Sequence, residues 1–301
     1  MSRWLDAPRA VWRRLVVRYP GARGLLLNRV LFENGLPLRI NARYLAYLLR
    51  CRWASAATVP KTFPDDVMEA ARRLRTDGYV VFEPSIDSRV VASLVDRIRA
   101  LVDAGESSVT PGVEEWMIGV NDSAATVPRI FELITPRVAA TLEAAYRSHF
   151  KIYSSEIYRL VPTTEPPEVS GLWHSDNYPP AVLKAMVYLT DCTSESGALR
   201  VHPRLQTRRL LRDGFFDRLN AAAYRDRLEQ GWVALEGSAG TVVLWSSNII
   251  HRATPPANTC RDAVAFKFLP SREPWQEYLA RMGPRLSTER RLQYPVDPSE
   301  D

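Results

Sequence analysis

From Lys151 onward the chain is cut into short apolar runs, at residues 152–160, 184–190, 197–202, 232–236, 241–246 and 263–269, with turn-forming residues between them. Runs of that length are short for helices, and many of them in succession predict strands of a two-layered antiparallel structure. The expected fold is therefore mainly β with flanking helices, built on a double-stranded β-helix (jelly roll, cupin-like) core.

Ahead of Lys151 the periodicity is longer. The stretch from Pro64 carries acidic residues in its first turn, keeps apolar positions at helical spacing and stops at Gly78, which predicts a helix followed by a short strand, Tyr79–Phe82. A second helix is expected from Ser88, where Val91, Leu94, Val95, Ile98, Leu101 and Val102 form one stripe. Residues 105–127 read as a long polar loop and a lid candidate, and residues 128–150 as helix again. Residues 204–230, rich in arginine, form an insertion in the β region. They are expected either to help bind an acidic substrate or to make a solvated helix paired through Asp213, Asp217, Asp226 and Glu229.

Within the β region, His174 and Asp176 stand two apart in Gly171-Leu-Trp-His-Ser-Asp-Asn, and His251 follows 75 positions after the aspartate. Residues two apart on a strand share a face, and a histidine from a distant strand can complete a facial set. Two imidazoles and one carboxylate with open positions left over is the ligand arrangement of non-haem Fe(II) oxygenases. Arg261, ten residues beyond His251, adds a planar fork of donors suited to a carboxylate, such as the distal end of 2-oxoglutarate. Of the chain's four histidines, His149 and His202 have no carboxylate at ligand spacing and are read as structural.

Around these residues the sequence resembles the phytanoyl-CoA dioxygenase-like branch of the Fe(II)/2-oxoglutarate oxygenases. The resemblance runs from Lys184-Ala-Met-Val-Tyr-Leu-Thr-Asp through Gly197-Ala-Leu-Arg-Val-His-Pro203, continues in Gly240-Thr-Val-Val-Leu-Trp245, and covers roughly residues 64–270. It implies Fe(II) held by His174, Asp176 and His251, 2-oxoglutarate and O2 as cosubstrates, and Arg261 on the far carboxylate of 2-oxoglutarate. Tyr158 is either a second contact to that cosubstrate or a core residue. Two departures stand out: Pro203-Arg-Leu-Gln replaces the usual Pro-Gly-Ser-His, and Ala253 sits where a small hydroxyl residue is common. Halogenases of this group replace the metal carboxylate with a small residue, and Asp176 argues against that chemistry. Hydroxylation is the expected outcome, while desaturation, cyclisation and epimerisation use the same triad.

Charge divides the chain in two. Residues 1–53 hold eleven arginines against Asp6 and Glu33, a balance of +9 in a chain whose total is +6. Two domains are expected, a basic helical extension (1–53) and the oxygenase jelly roll (54–301). The extension is read as helices packed on the barrel, as a peripheral contact with an anionic membrane, or, third, as a nucleic-acid contact, although no nucleic-acid module accompanies it. Three cysteines, Cys51, Cys192 and Cys260, show neither metal nor disulfide spacing, and a cytoplasmic setting is expected. The substrate is expected to be a small molecule, anionic or lipid-linked, such as a lipopolysaccharide sugar, or a natural-product intermediate. The reading kept against it is a non-catalytic jelly-roll protein that binds a metal or small ligand.

Overall fold

Two stacked antiparallel sheets hold the ten strands of the described residues in a computed structural model, which describes residues 31–34, 36, 38–105, 107–109, 116–120, 122–166, 168–176, 178–180, 182–216 and 218–283. The chain enters through α1 (Leu38–Ala54) and α2 (Asp65–Thr76), crosses β1 (Tyr79–Phe82), and returns through α3 (Ser88–Asp103). The strands β2 (Ser107–Val109) and β3 (Met117–Val120) follow, then α4 (Ser123–Thr126), a 3-10 turn (Pro128–Leu133) and α5 (Pro136–Tyr146). The β region comprises β4 (His149–Leu160), β5 (Leu183–Tyr188), β6 (Leu199–Val201), β7 (Val233–Leu235), β8 (Val242–Ser246), β9 (His251–Arg252) and β10 (Arg261–Ser271). The segment between β6 and β7 contains α6 (Arg204–Arg212), a 3-10 stretch (Arg218–Tyr224) and α7 (Arg225–Leu228), and α8 (Trp275–Met282) follows β10.

The larger sheet has the order β1-β8-β5-β10-β4-β3-β2, and the smaller β7-β6-β9. Alternation along the strands separates two cores. Val80, Phe82, Ala185, Val187, Leu244, Val264 and Phe266 join the flanking helices in one cluster, while Met186, Tyr188, Val243, Trp245 and Ala263 pack against Leu199, Val201 and Leu235 of the smaller sheet. This is the period-2 pattern of a jelly roll, each face buried for a different reason.

Local chemistry sets the helix limits. The Asp87 carboxylate accepts the Arg89 N–H at 2.8 Å and opens α3. The helix expected over 128–150 is two elements. Pro136 disfavours the α conformation at Thr135, which instead caps α5, its hydroxyl accepting from the Val138 N–H at 3.3 Å. The helix ends at Arg147 in the left-handed region (φ 56°), and β4 begins two residues later. The lid expected over 105–127 is likewise corrected where described. β3 pairs along the free edge of β4, Met117 opposite Leu160 and Gly119 opposite Tyr158, because Trp116 and Met117 gain burial there.

The segment from Leu31 to Ala54 is fastened to the barrel. Tyr44, Tyr47 and Cys51 of α1 pack with Tyr153, Val182 and Leu269, and the Tyr47 hydroxyl donates to the Pro270 carbonyl at 2.8 Å. Ahead of α1, Asn34 Nδ2 donates to the Tyr178 carbonyl at 2.9 Å, and Asn248 Nδ2 donates to the Phe32 carbonyl at 3.2 Å. Buried Glu33 accepts from Arg208 Nε at 2.8 Å and from Arg204. Expectations for residues 1–30 fall outside the described residues. No described helix is long and apolar enough to cross a membrane.

Candidate metal centre

His174 and His251 face each other across a two-residue bridge in which each backbone N–H donates to the other's carbonyl, at 3.0 and 2.8 Å. The residues just before them fix this pairing. Trp173 and Ile250 are buried in one cluster with Leu210, Leu211, Phe215, Tyr224 and Leu228 of the inserted segment, so the insertion is the floor under both histidine strands. At roughly 1.5–3 kcal/mol for each fully buried large side chain, that packing outweighs any propensity of the short β9.

Asp176 is placed by its N–H, which donates to the Ser247 carbonyl at 3.1 Å. His174 Nε2 then lies 3.7 Å from Asp176 Oδ1, and His251 Nε2 3.5 Å from Oδ2. The three ligand atoms fall within 4.8 Å of one another, in the one such His/Cys/Asp/Glu group among the described residues.

The tautomers suit a metal. His174 Nδ1 lies 2.7 Å from the Leu172 carbonyl and His251 Nδ1 2.9 Å from that of Ile249. A carbonyl only accepts, so each Nδ1 carries the proton and each Nε2 presents a lone pair toward Asp176. Burial, reinforced for His174 by the neighbouring His251, holds both imidazoles below their ordinary pKa and hence neutral. Burial alone would raise the Asp176 carboxyl. The Lys184 ammonium, 2.8 Å from Asp176 Oδ2, outweighs it and holds the carboxyl well below its usual range. Two neutral imidazoles and one carboxylate on one face is a donor set that fits Fe(II).

Arg261 opens β10 with only 2% of its surface exposed. One Nη donates to the Gly197 carbonyl and lies 3.6 Å from Cys192 Sγ, the guanidinium lies 5.7 Å from the centre of the Tyr188 ring, and Nε has no partner. A buried guanidinium with an idle donor and no carboxylate within salt-bridge distance among the described residues has the donor set to take an anion. Tyr158, opposite Ala263 on β4, donates its hydroxyl to Glu156. His149 and His202 stand apart from the centre: His149 lies between Glu143 and Thr58, 2.8 Å from each, and His202 Nε2 is 3.1 Å from the Leu228 carbonyl.

Three cations were missed in the sequence. Lys184 and Lys267 are cross-strand neighbours on β5 and β10. Lys184 Nζ lies 2.8 Å from Asp176 Oδ2, and Lys267 Nζ 3.4 Å from Glu156 Oε1. Although burial disfavours its charge, Glu156 followed by Tyr178 and Asp176 keeps Lys267 protonated above the ordinary lysine range. A lysine inside each of two apolar runs was the available signal. Arg218, from the insertion, lies close enough to weigh against protonation of both metal histidines, and nothing in the sequence set it apart from the other arginines there. The ion pairs expected within the insertion form only in part: Arg227 meets Asp213 at 2.8 Å, whereas Glu229 pairs with Arg252 of β9, also at 2.8 Å.

Residues 74–262 match the family described as phytanoyl-CoA dioxygenase. Among solved structures, the non-heme alpha ketoglutarate dependent carbocyclase SnoK from nogalamycin biosynthesis is 21% identical, with 76% of this chain and 93% of that chain covered and a TM-score of 0.54. EctD from S. alaskensis with bound Fe is 23% identical over 70% and 80%, TM-score 0.52. The epimerase SnoN in complex with Fe3+, alpha ketoglutarate and nogalamycin RO is 19% identical over 69% and 84%, TM-score 0.50. At these identities the likeness is one of fold. No curated protein matches the chain.

Proposed function

Because the chain belongs to the phytanoyl-CoA dioxygenase family, we propose that it is an Fe(II)- and 2-oxoglutarate-dependent dioxygenase that hydroxylates an unactivated C–H bond of an anionic substrate. The single observation that carries this reading is the meeting of His174, Asp176 and His251 within 4.8 Å, with both Nδ1 atoms committed to backbone carbonyls.

In this reading the two Nε2 atoms and one Asp176 oxygen hold the iron, and Arg261 takes the far carboxylate of 2-oxoglutarate through its fork of donors. Bound there, iron would supply the C–H oxidation chemistry with O2 and 2-oxoglutarate, which is converted to succinate and CO2. The chain's own part is placement. Trp173, Ile250 and the insertion keep the two imidazoles paired, Lys184 holds the second Asp176 oxygen, and the buried faces of β5, β8 and β10 exclude water around Arg261. Tyr158 is assigned a supporting contact to the cosubstrate, through the hydroxyl that now donates to Glu156.

Lys184, Lys267 and Arg218 around the centre favour an acceptor with a carboxylate or phosphate, whether a free small molecule, a natural-product intermediate or a lipid-linked sugar. The basic N-terminal segment is read as a peripheral contact with an anionic bilayer, which would bring a lipid-linked acceptor within reach.

The test is succinate release by anaerobically purified protein given Fe(II), ascorbate, 2-oxoglutarate and then O2, beside His251→Ala. Release in the wild type alone supports the reading. Neither release nor 2-oxoglutarate binding would leave the protein as a non-catalytic jelly-roll binder. Incorporation of isotopically labelled O2 into an identified product separates hydroxylation from epimerisation or cyclisation.

A further inference from the structure

Helix α1 has two apolar faces, and the barrel covers only one. Tyr44, Tyr47 and Cys51 are buried, while Leu38, Leu45, Leu49 and Trp53 form a stripe at i, i+7, i+11 and i+15 on the opposite side, with Leu49 at 60% and Trp53 at 84% exposure. The helix contains four arginines and no acidic residue.

Past the C-terminal end of α1 lies a pocket of about 390 Å³ lined by Val59, Pro60, Phe63 and Met68 together with Arg52, Lys61 and Arg147. Among the described residues, no carboxylate lies within salt-bridge distance of Arg52, Lys61 or Arg147, nor of nearby Arg75. Burial, and to a lesser extent the nearby like charges of Arg147 and Arg75, push the Arg52 guanidinium below its ordinary pKa. Arg52 itself is fixed in place, its Nε donating to the Tyr146 carbonyl at 2.7 Å.

We propose that this surface is a seat for anionic phospholipid, with Leu49 and Trp53 entering the bilayer interface and Arg52, Arg147, Arg75 and Lys61 closing on a headgroup phosphate. The occupant follows from complementarity. Exposed leucines and a tryptophan beside cations describe a helix lying in an interface, and the apolar lining suits the first carbons of an acyl chain. A soluble protein partner would need acidic groups matched one by one to these cations, whereas an anionic bilayer supplies phosphates everywhere. The inference rests on the bilayer reading of the N-terminal segment and adds where the folded body is gripped. It is independent of the chemistry at the metal centre.

The experiment is flotation of the full-length protein with phosphatidylcholine vesicles, with and without phosphatidylglycerol. The variants are Leu49→Ser/Trp53→Ser, whose side chains are already exposed, and Arg147→Gly, which suits the left-handed backbone there. Wild type is expected on the anionic vesicles alone, Arg147→Gly to lose about fivefold in partitioning, and the double variant to lose at least tenfold, with thermal unfolding unchanged. Failure of the wild type to float with anionic vesicles at low salt overturns both this seat and the bilayer reading. Wild-type flotation retained in full by both variants overturns the seat alone and leaves binding to residues 1–30. A wild-type dimer by light scattering that the double variant abolishes assigns the stripe to a second copy of the chain and also overturns the seat.

Discussion

Lys184 Nζ donates to Asp176 Oδ2 over 2.8 Å, so the carboxylate that faces both metal imidazoles is also held by an ammonium from the next strand. Both side chains are largely buried, at 16% and 14% exposure. Removing one partner of such a pair strands the other, at a cost of about 3–5 kcal/mol. Asp176→Ala is therefore expected to lose metal binding and also stability, and Asp176→Ala/Lys184→Met to regain most of the stability without the metal. Lys184→Met alone is expected to weaken Co(II) binding about 10–100-fold, the usual effect of removing a group that orients a metal ligand. Calorimetric titration and urea unfolding of the metal-free proteins read both effects. Unchanged Co(II) affinity in Lys184→Met would mean that the Ser247 carbonyl alone positions the aspartate.

Arg261 offers a second test through geometry instead of charge. Arg261→Lys keeps the positive charge but loses the planar fork and its idle Nε. The expected result is a loss of about 2 kcal/mol in 2-oxoglutarate binding, roughly thirtyfold, measured calorimetrically on protein loaded with a redox-inert metal. Full retention of affinity would move the cosubstrate's far carboxylate to Lys184 or Lys267.

The grouping of His174, Asp176 and His251 was legible because metal chemistry restricts residue types and spacing together, and one pattern names all three. The six strand-like runs predicted the barrel because run length and the turn residues between runs are local. What was not legible depends on contacts between distant segments. Lys184 and Lys267 became neighbours only when β5 and β10 paired in register. Arg218 reaches the centre because Phe215 and Tyr224 bury beneath Trp173, a tertiary fact with no sequence period. The β2–β3 hairpin was read as loop because its strands of three and four residues are too short to show alternation. Thr135-Pro136 was a legible helix boundary inside 128–150 that the apolar pattern on both sides obscured.

Gly197 links the return strand to Arg261. Its φ is 92°, and a Cβ there would lie 2.6 Å from the Thr254 carbonyl oxygen and 3.2 Å from the Pro256 nitrogen, backbone that cannot swing aside. Its own carbonyl accepts from Arg261. Gly197→Ala is expected to destabilise by about 2 kcal/mol or more and to weaken 2-oxoglutarate binding, because the 253–260 turn must shift at the root of β10. Urea unfolding and calorimetry check the two effects together. Loss of stability with unchanged cosubstrate affinity would separate this turn from Arg261.

His202 sets an acid limit on the fold. The ring is buried against Trp173, 4.5 Å between centroids, Nε2–H donates to the Leu228 carbonyl and Nδ1 has no partner. Burial pushes its pKa down to about 4 from an ordinary 6.5. A histidine whose folded pKa lies below its unfolded value favours the fold in its neutral form. That stability is present above about pH 6.5 and is lost progressively as pH falls toward 4, because the unfolded chain binds the proton more readily. The span corresponds to a contribution on the order of 3 kcal/mol. Urea midpoints of metal-free protein are therefore expected to fall between pH 7 and pH 4.5, and those of His202→Phe, which keeps the ring and cannot ionise, to fall less over the same window. Asp176 is already ionised there and is common to both proteins, so the difference between the two curves isolates His202. Parallel curves would assign the acid sensitivity to the metal histidines instead.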